Sequence, residues 1–387
     1  MSAVLVIGGS IAGLATGCLL RKAGWDVAVY ERAAGDLAGR GAGLGISAEL
    51  VEVMARAGAR FDAASGVSQR EHVWMERSGE VVFRHPRNLM ASAWARVYQP
   101  LRAALPAGIY RQAMTLAHVT QQAGAVTAHF ADGSHASADL LVAADGVHST
   151  VRRQYLPEVE PRFAHYVAWR GLVERRELPE ETCAALTDRL VFSFAPGEML
   201  LAMRVPDGAY FIWYRHVPED SVADLFTDAS GKSHGLSIPP PLIRQELVRE
   251  LKDHACDVLP AVIAPLVVAC AQPLLQAITD MESPRLCHGR VALVGDAAFV
   301  ARPHVAGGAS KALLDARALC DALAVEKTVA AALARYESAQ LDFGRRIVQH
   351  SRYLGADLEG RPTVRDPARI IRDYGAPHLL HDVPQTE

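Results

Sequence analysis

Residues 4–13, VLVIGGSIAG, place a short apolar run directly before two glycines and the start of a helix. Val4 to Ile7 reads as a buried strand. Ile11 to Ala23 then carries apolar residues at helical spacing, and after Gly24 a second strand runs from Val27 to Tyr30. Together these make a βαβ unit. Gly8 permits the tight turn, Gly13 lets the helix pack on the sheet, and the turn Ser10-Ile11-Ala12 puts the helix's free amides where a pyrophosphate would sit. Ser10 replaces the usual middle glycine, and its small side chain must still let the phosphates approach. Glu31, 18 residues after Gly13, ends the second strand where a carboxylate can accept hydrogen bonds from a ribose, with Arg32 and Arg40 following as further nucleotide contacts. These spacings indicate a dinucleotide and do not separate FAD from NAD.

Working outward, two more strands end on acidic turns. Residues 126–145 read as a hairpin turned at Asp132-Gly133 and then a strand, Leu140 to Ala144, that runs into Asp145-Gly146. Val291 to Val294 runs into Gly295-Asp296. The middle of the chain alternates apolar and polar residues, as in Leu190–Phe194, Met199–Val205 and Tyr210–Val217, which predicts an antiparallel sheet. The expected fold is α/β. A discontinuous Rossmann-like nucleotide domain (1–160 and 285–355, with 70–95 shared) is interrupted by a mixed or antiparallel β-sheet substrate domain (161–284), and helices close the C-terminal part. Residues 258–271 read as a pair of buried helices, and 356–387 as a Pro-rich polar tail of doubtful order.

Composition limits the partners. Half the residues are hydrophobic, 21% are charged and the net charge is -3, so no basic field favours nucleic acid. The apolar N-terminus is broken by glycines and lacks a preceding Lys or Arg, unlike a signal peptide, and no run is long enough to span a bilayer. The six cysteines are scattered without zinc or disulfide spacing, which suggests reduced thiols in a cytoplasmic protein and no metal site. A small molecule is the expected partner, and a homodimer is left open.

With GGSIAG, the segment Asp139–Arg152 and Gly295-Asp296-Ala297-Ala298 in this order, the chain resembles the class A flavoprotein monooxygenases, the group of para-hydroxybenzoate hydroxylase, over nearly its whole length to about residue 350. The resemblance implies bound FAD, with NADH or NADPH as a transient co-substrate, O2, and hydroxylation of an electron-rich ring through a C4a-hydroperoxyflavin. It places Asp145 and Gly146 near FAD and the nicotinamide, and Asp296 near the ribityl-pyrophosphate. The segment Gly295–Lys311, with Arg302-Pro303-His304, together with Trp169-Arg170-Gly171 and Trp213-Tyr214, is most similar to members that act on hydroxypyridines. A helix starting near Gly307, through Gly308, Ala309 and Ser310, would point its positive end at the negative charge of a reduced flavin, and Pro303 would shape the wall above the ring. Two positions depart from the family: Phe299 stands where many members have His, and Tyr98 (with Arg96 and Gln99 nearby) where many have Arg.

An electron-rich ring is best attacked with its hydroxyl deprotonated, so a base or hydrogen-bond acceptor is expected near it. His304 is the first candidate, the alternative being a histidine that only bonds the loop. Tyr214 and His216 share a strand face with Tyr210 and Ile212, and either reach substrate or belong to a sheet core. Arg170 either anchors an anionic substrate or pairs with an acid at the domain junction, and the second is favoured. Two rival functions are an FAD enzyme acting on a non-aromatic substrate and a flavin-binding protein without turnover.

Overall fold

The computed structural model describes residues 2–38, 43–360 and 366–375. Its first sheet has six strands in the order Cys287–His288, Val291–Leu293, Leu140–Ala143, Ala3–Ile7, Asp26–Tyr30 and Tyr110–Arg111, all parallel except the first. Ile7 pairs with Ala143 and with Tyr30, and Ala143 pairs with Leu293. Four strands from distant parts of the chain therefore stop abreast. The next backbone bonds continue the ladder by one step, from Gly8 N–H to Tyr30 O at 2.8 Å, from Ala144 to Ile7 O at 2.7 Å and from Val294 to Ala143 O at 2.9 Å. The helices Ile11–Lys22 and Gly308–Val325 pack together on this sheet, their apolar sides buried in one core with its strands.

The second sheet is larger and mostly antiparallel. Its order is Ser237–Ile238, Leu274–Glu282, Arg162–Glu174, Gly208–His216, Glu198–Val205, Arg189–Ala195, Val67–Met75, Val81–Ala93 and Gly43–Ile46, and Phe299–Val300 also pairs with Leu274–Glu282. Strands from before residue 95 thus complete a sheet whose centre comes from the middle of the chain. Period-two alternation gives it two faces. Val167, Trp169, Leu200, Phe211 and Trp213 pack on the helices Gln245–Val258 and Ala264–Ala269. Tyr166, Ala168, Phe192, Leu201, Tyr210, Ile212 and Tyr214 form the opposite, inner face. A bulge between Phe163 and Val167, with His165 at φ 61°, re-aims the strand immediately around Tyr166.

Two expectations need correction. Residues 258–271 hold one short helix, Ala264–Ala269, because the preceding helix ends at Val258, just before Pro260. The C-terminal segment is not simply a polar tail: Asp366 caps a helix, Pro367–Asp373, and Ile370, Ile371 and Tyr374 are buried against the inner face of the second sheet. Leu358 of the same segment is buried there too, and residues 361–365 and 376–387 lie outside the described ones.

The 27-residue helix Val329–Gly355 joins the two sheets. Tyr336 donates to Leu293 O at 2.8 Å on one side, and Arg352 bonds Asp280 at 2.7 Å and pairs with Glu282 on the other. Buried Arg302 completes the junction, with Nε to Asp280 at 2.7 Å and a terminal nitrogen to Glu359 at 2.6 Å. Removing one partner from a buried ion network leaves the others uncompensated, at a cost of about 3–5 kcal/mol. Arg302→Gln is therefore expected to lower stability by about that amount, read as a shift of the urea unfolding midpoint, whereas Arg70→Gln, at an exposed pair, should leave it almost unchanged.

Candidate functional site

The nucleotide side of the site is built on the abreast strand ends. Gly8 has φ +105°, and a Cβ there would lie 2.2 Å from Ala144 O. A Cβ on Gly13 would lie 1.8 Å from Gly8 O, so the first helix can sit this close to the turn only with glycine at that position. Ser10 occupies the N-cap of helix Ile11–Lys22 without a side-chain capping bond, and the first turn has no acidic residue. The amides at Ile11 and Ala12 are left to an external anion. The buried Glu31 carboxylate accepts from Gly9 N–H and Ala33 N–H, both at 2.8 Å, which fixes it at the strand end beside the glycine turn. Arg32 is exposed, near His148. Arg40 lies outside the described residues.

At the second strand end, the Asp145 carboxylate accepts from Thr150 N–H at 2.8 Å and from Val151 N–H at 3.3 Å, and burial raises its pKa. It therefore bonds the first turn of the helix Thr150–Tyr155, whose N-cap is Ser149, while Gly146, at φ +78°, turns the chain. Fully buried Arg152 holds this loop through the carbonyls of Val147, Ala297 and Val159. At the third end, Gly295 at φ +60° crosses close to Ala12, and its N–H donates to Asp315 at 2.8 Å. Lys311 pins the same turn, with Nζ 2.6 Å from Asp315 and 3.3 Å from Gly295 O. Asp296, the next residue in this turn, is exposed.

Pro303, His304 and Val305 form a single tight turn, Ala306 adopts φ 47°, and Gly307 begins the helix Gly308–Val325 without a side-chain cap or an acidic first turn. Gly308 is exposed, Ala309 half-buried, and Ser310 bonds Ser47 at 3.1 Å. This is a second helix N-terminus without a side-chain cap, one turn from Lys311 and two from Asp315, which bond the Gly295 turn. Phe299, where a histidine was of interest, packs against Gly344 in the core. Tyr98 is buried and stacks on Trp94 with centroids 4.7 Å apart, and Arg96 pairs with Asp207.

On the other side, the inner face of the second sheet brings together groups that the sequence scatters. His304 is fully buried, with Nε2 2.7 Å from Tyr166 Oη and its ring 4.3 Å from the Tyr214 ring. Burial pushes the Tyr166 and Tyr214 phenols up, so both stay protonated. The Tyr214 hydroxyl has no hydrogen-bond partner among the described residues. His216 is turned elsewhere, its Nδ1 3.2 Å from Leu358 O. Arg170, expected to pair with an acid at the domain junction, makes no such pair among the described residues, and its Nε is buried without a partner there. Tyr374 and His72 were not anticipated. Tyr374 comes from the C-terminal helix, and buried His72 packs against Tyr374 and Phe192 at 6.0 and 5.5 Å. No local motif signals either residue, since only the tertiary fold brings them here.

The fold and this nucleotide-binding edge match those of flavin-dependent monooxygenases, the class that comparisons with known proteins show. The family of FAD binding domains matches residues 1–187 and 273–351, and the chain belongs to this family of FAD-dependent aromatic-ring monooxygenases. It is 30% identical to 2,6-dihydroxypyridine 3-monooxygenase of Paenarthrobacter nicotinovorans, over 92% of this chain and 91% of that one. Its structure is similar to that of 2,6-dihydroxypyridine-3-hydroxylase from Arthrobacter nicotinovorans, with a TM-score of 0.89 at 27% identity over 96% of both chains. It is also similar to Klebsiella pneumoniae HpxO complexed with FAD and uric acid, with a TM-score of 0.79 at 25% identity over 98% of this chain and 95% of that one.

Two outcomes follow from this geometry. Gly13→Ala forces the first helix off the glycine turn and is expected to weaken FAD binding about 100-fold by equilibrium titration, whereas Gly35→Ala, with open space around the new methyl, should leave it unchanged. Burial holds His72 neutral, with its pKa pushed down to about 3 from 6.5. Below pH 6.5 the unfolded chain takes up this proton and the folded one does not. The folded state should thus lose up to about 1.4 kcal/mol per pH unit on acidification towards pH 3 relative to His72→Phe. Urea unfolding of both proteins at pH 7 and pH 5 checks this.

Proposed function

We propose that the protein hydroxylates a single hydroxylated nitrogen-heteroaromatic or phenolic ring, with NADH or NADPH and O2 as co-substrates. The observation that carries this reading is the meeting of two surfaces: open helix N-termini and glycine turns on the nucleotide side, and a buried aromatic wall with an unbonded Tyr214 hydroxyl on the other. The cradle suits FAD, since it offers amides to a pyrophosphate, Glu31 to a ribose and Asp296 to the ribityl side. Bound FAD supplies hydride acceptance and oxygen activation, which no side chain of the protein can provide.

The protein's own groups bind, orient and exclude water. The N-terminus of helix Gly308–Val325 stabilises negative charge placed before it. Tyr214, protonated and unbonded, receives the substrate's ring hydroxyl or its anion. His304 acts as a positioning residue, holding Tyr214 by ring contact and Tyr166 by hydrogen bond. The apolar inner wall keeps solvent from the reacting centre. We also place the protein in the cytoplasm: its cysteines are all free, five of them buried, and no described helix is long and apolar enough to cross a membrane.

The test is a panel of hydroxypyridines and phenols assayed together for NAD(P)H consumption, O2 uptake and a product that has gained one oxygen atom. At least one compound should stimulate all three. Tyr214→Phe should retain FAD yet lower turnover about 100-fold. A yellow protein that no ring compound induces to consume NAD(P)H would refute the proposal.

A further inference from the structure

Arg170 stands apart from the other interior arginines. Arg152 is satisfied by three carbonyls, Arg302 by two acids, and Arg87 donates to Tyr374 O at 3.1 Å. Arg170 is half-buried, its Nε is sealed from solvent without a partner, and no described carboxylate pairs with it. A buried donor without an acceptor is costly, and proteins normally satisfy it.

The strand register shows where that charge points. Arg170 lies opposite Ile212, and Tyr210 and Tyr214 flank Ile212 on the same face. Along its own strand, Tyr166 and Ala168 on this face are fully buried, Arg170 is half-buried, and Leu172 beyond it is 49% exposed. Arg170 therefore sits where the buried inner face gives way to the exposed end of its strand. Gly171 faces the other way, where a Cβ would meet Phe211 and Cys270 at 2.4 and 2.5 Å, which keeps the strand seated and Arg170 on the inner side. Ala168 is opposite Tyr214, so the Arg170 level and the Tyr214 level differ by two residues, roughly 7 Å. That is about the span of one substituted six-membered ring.

We propose that Arg170 anchors an oxyanion at one end of a single-ring substrate whose other end meets Tyr214. The inference rests on the hydroxylase reading above and adds that the substrate binds as an anion. The guanidinium fork suits a planar oxyanion, and Tyr210 and Tyr374, which burial keeps protonated, lie close enough to feel its charge and offer no competing negative group. The oxyanion is either a ring carboxylate or a deprotonated ring hydroxyl.

The experiment uses the FAD-loaded protein and reads dissociation constants from the change in flavin absorbance. The probes are a hydroxypyridine carboxylate with its carboxamide, and a dihydroxypyridine with its monomethyl ether. Wild type should prefer the anionic member of at least one pair, and the pair that shows this names the source of the oxyanion. Arg170→Gln should weaken that member about 10- to 100-fold and leave its neutral partner nearly unchanged, with Arg170→Lys between them. FAD affinity and the flavin reduction potential should stay at wild-type values in both variants. Equal loss for charged and neutral probes, or a shifted potential, would overturn the anchor while leaving the hydroxylase reading intact. A wild type that binds no ring compound at all would overturn both. If Arg170→Gln does not fold, the Lys variant alone decides, because loss of the planar fork should still weaken only the anion.

Discussion

Everything in this structure depends on the register that stops four parallel strands at one level. Because Ile7, Tyr30, Ala143 and Leu293 end abreast, the residues just after them, drawn from four separate stretches of chain, share one edge. The cradle is made there from backbone more than from side chains. Two helices begin at this edge without caps, so their positive ends remain available to negative charge from a bound nucleotide. The turn glycines make the approach possible, and Lys311, Asp315 and Arg152 hold the turns in place from behind.

The second sheet supplies what the first cannot. One face is spent on the helices that support it, and the other is lined by tyrosines whose hydroxyls are forced to stay protonated. Among the buried polar atoms without a partner in the described residues, the Tyr214 hydroxyl and Arg170 Nε are the two we assign to a ligand. Both lie on the inner face, on paired strands. The junction of Arg302, Asp280, Glu359 and Arg352 keeps this face set against the nucleotide edge.

The nucleotide half was legible because its chemistry is local. Strand, turn and helix lie within residues 4–31, and each acidic strand end follows its own apolar run, so periodicity and glycine placement suffice. The catalytic half was legible only in part. Alternation put Tyr210, Ile212 and Tyr214 on one face, but period two cannot say which neighbour that face meets, and His216 on the same face bonds Leu358. His304 could be picked from its motif, yet its bond to Tyr166 joins residues 138 apart. Tyr374 lay in a stretch that reads as polar tail, and its burial arises from Ile370 and Ile371, too few apolar residues to show a helical period. Arginines usually find acids, but no described acid pairs with Arg170.

The most direct test of the central claim is the binding of FAD to the purified full-length chain, followed by flavin absorbance and by the ratio of flavin to protein. The account predicts a yellow protein saturating at one FAD per chain. A colourless protein that takes up no FAD from solution would contradict it.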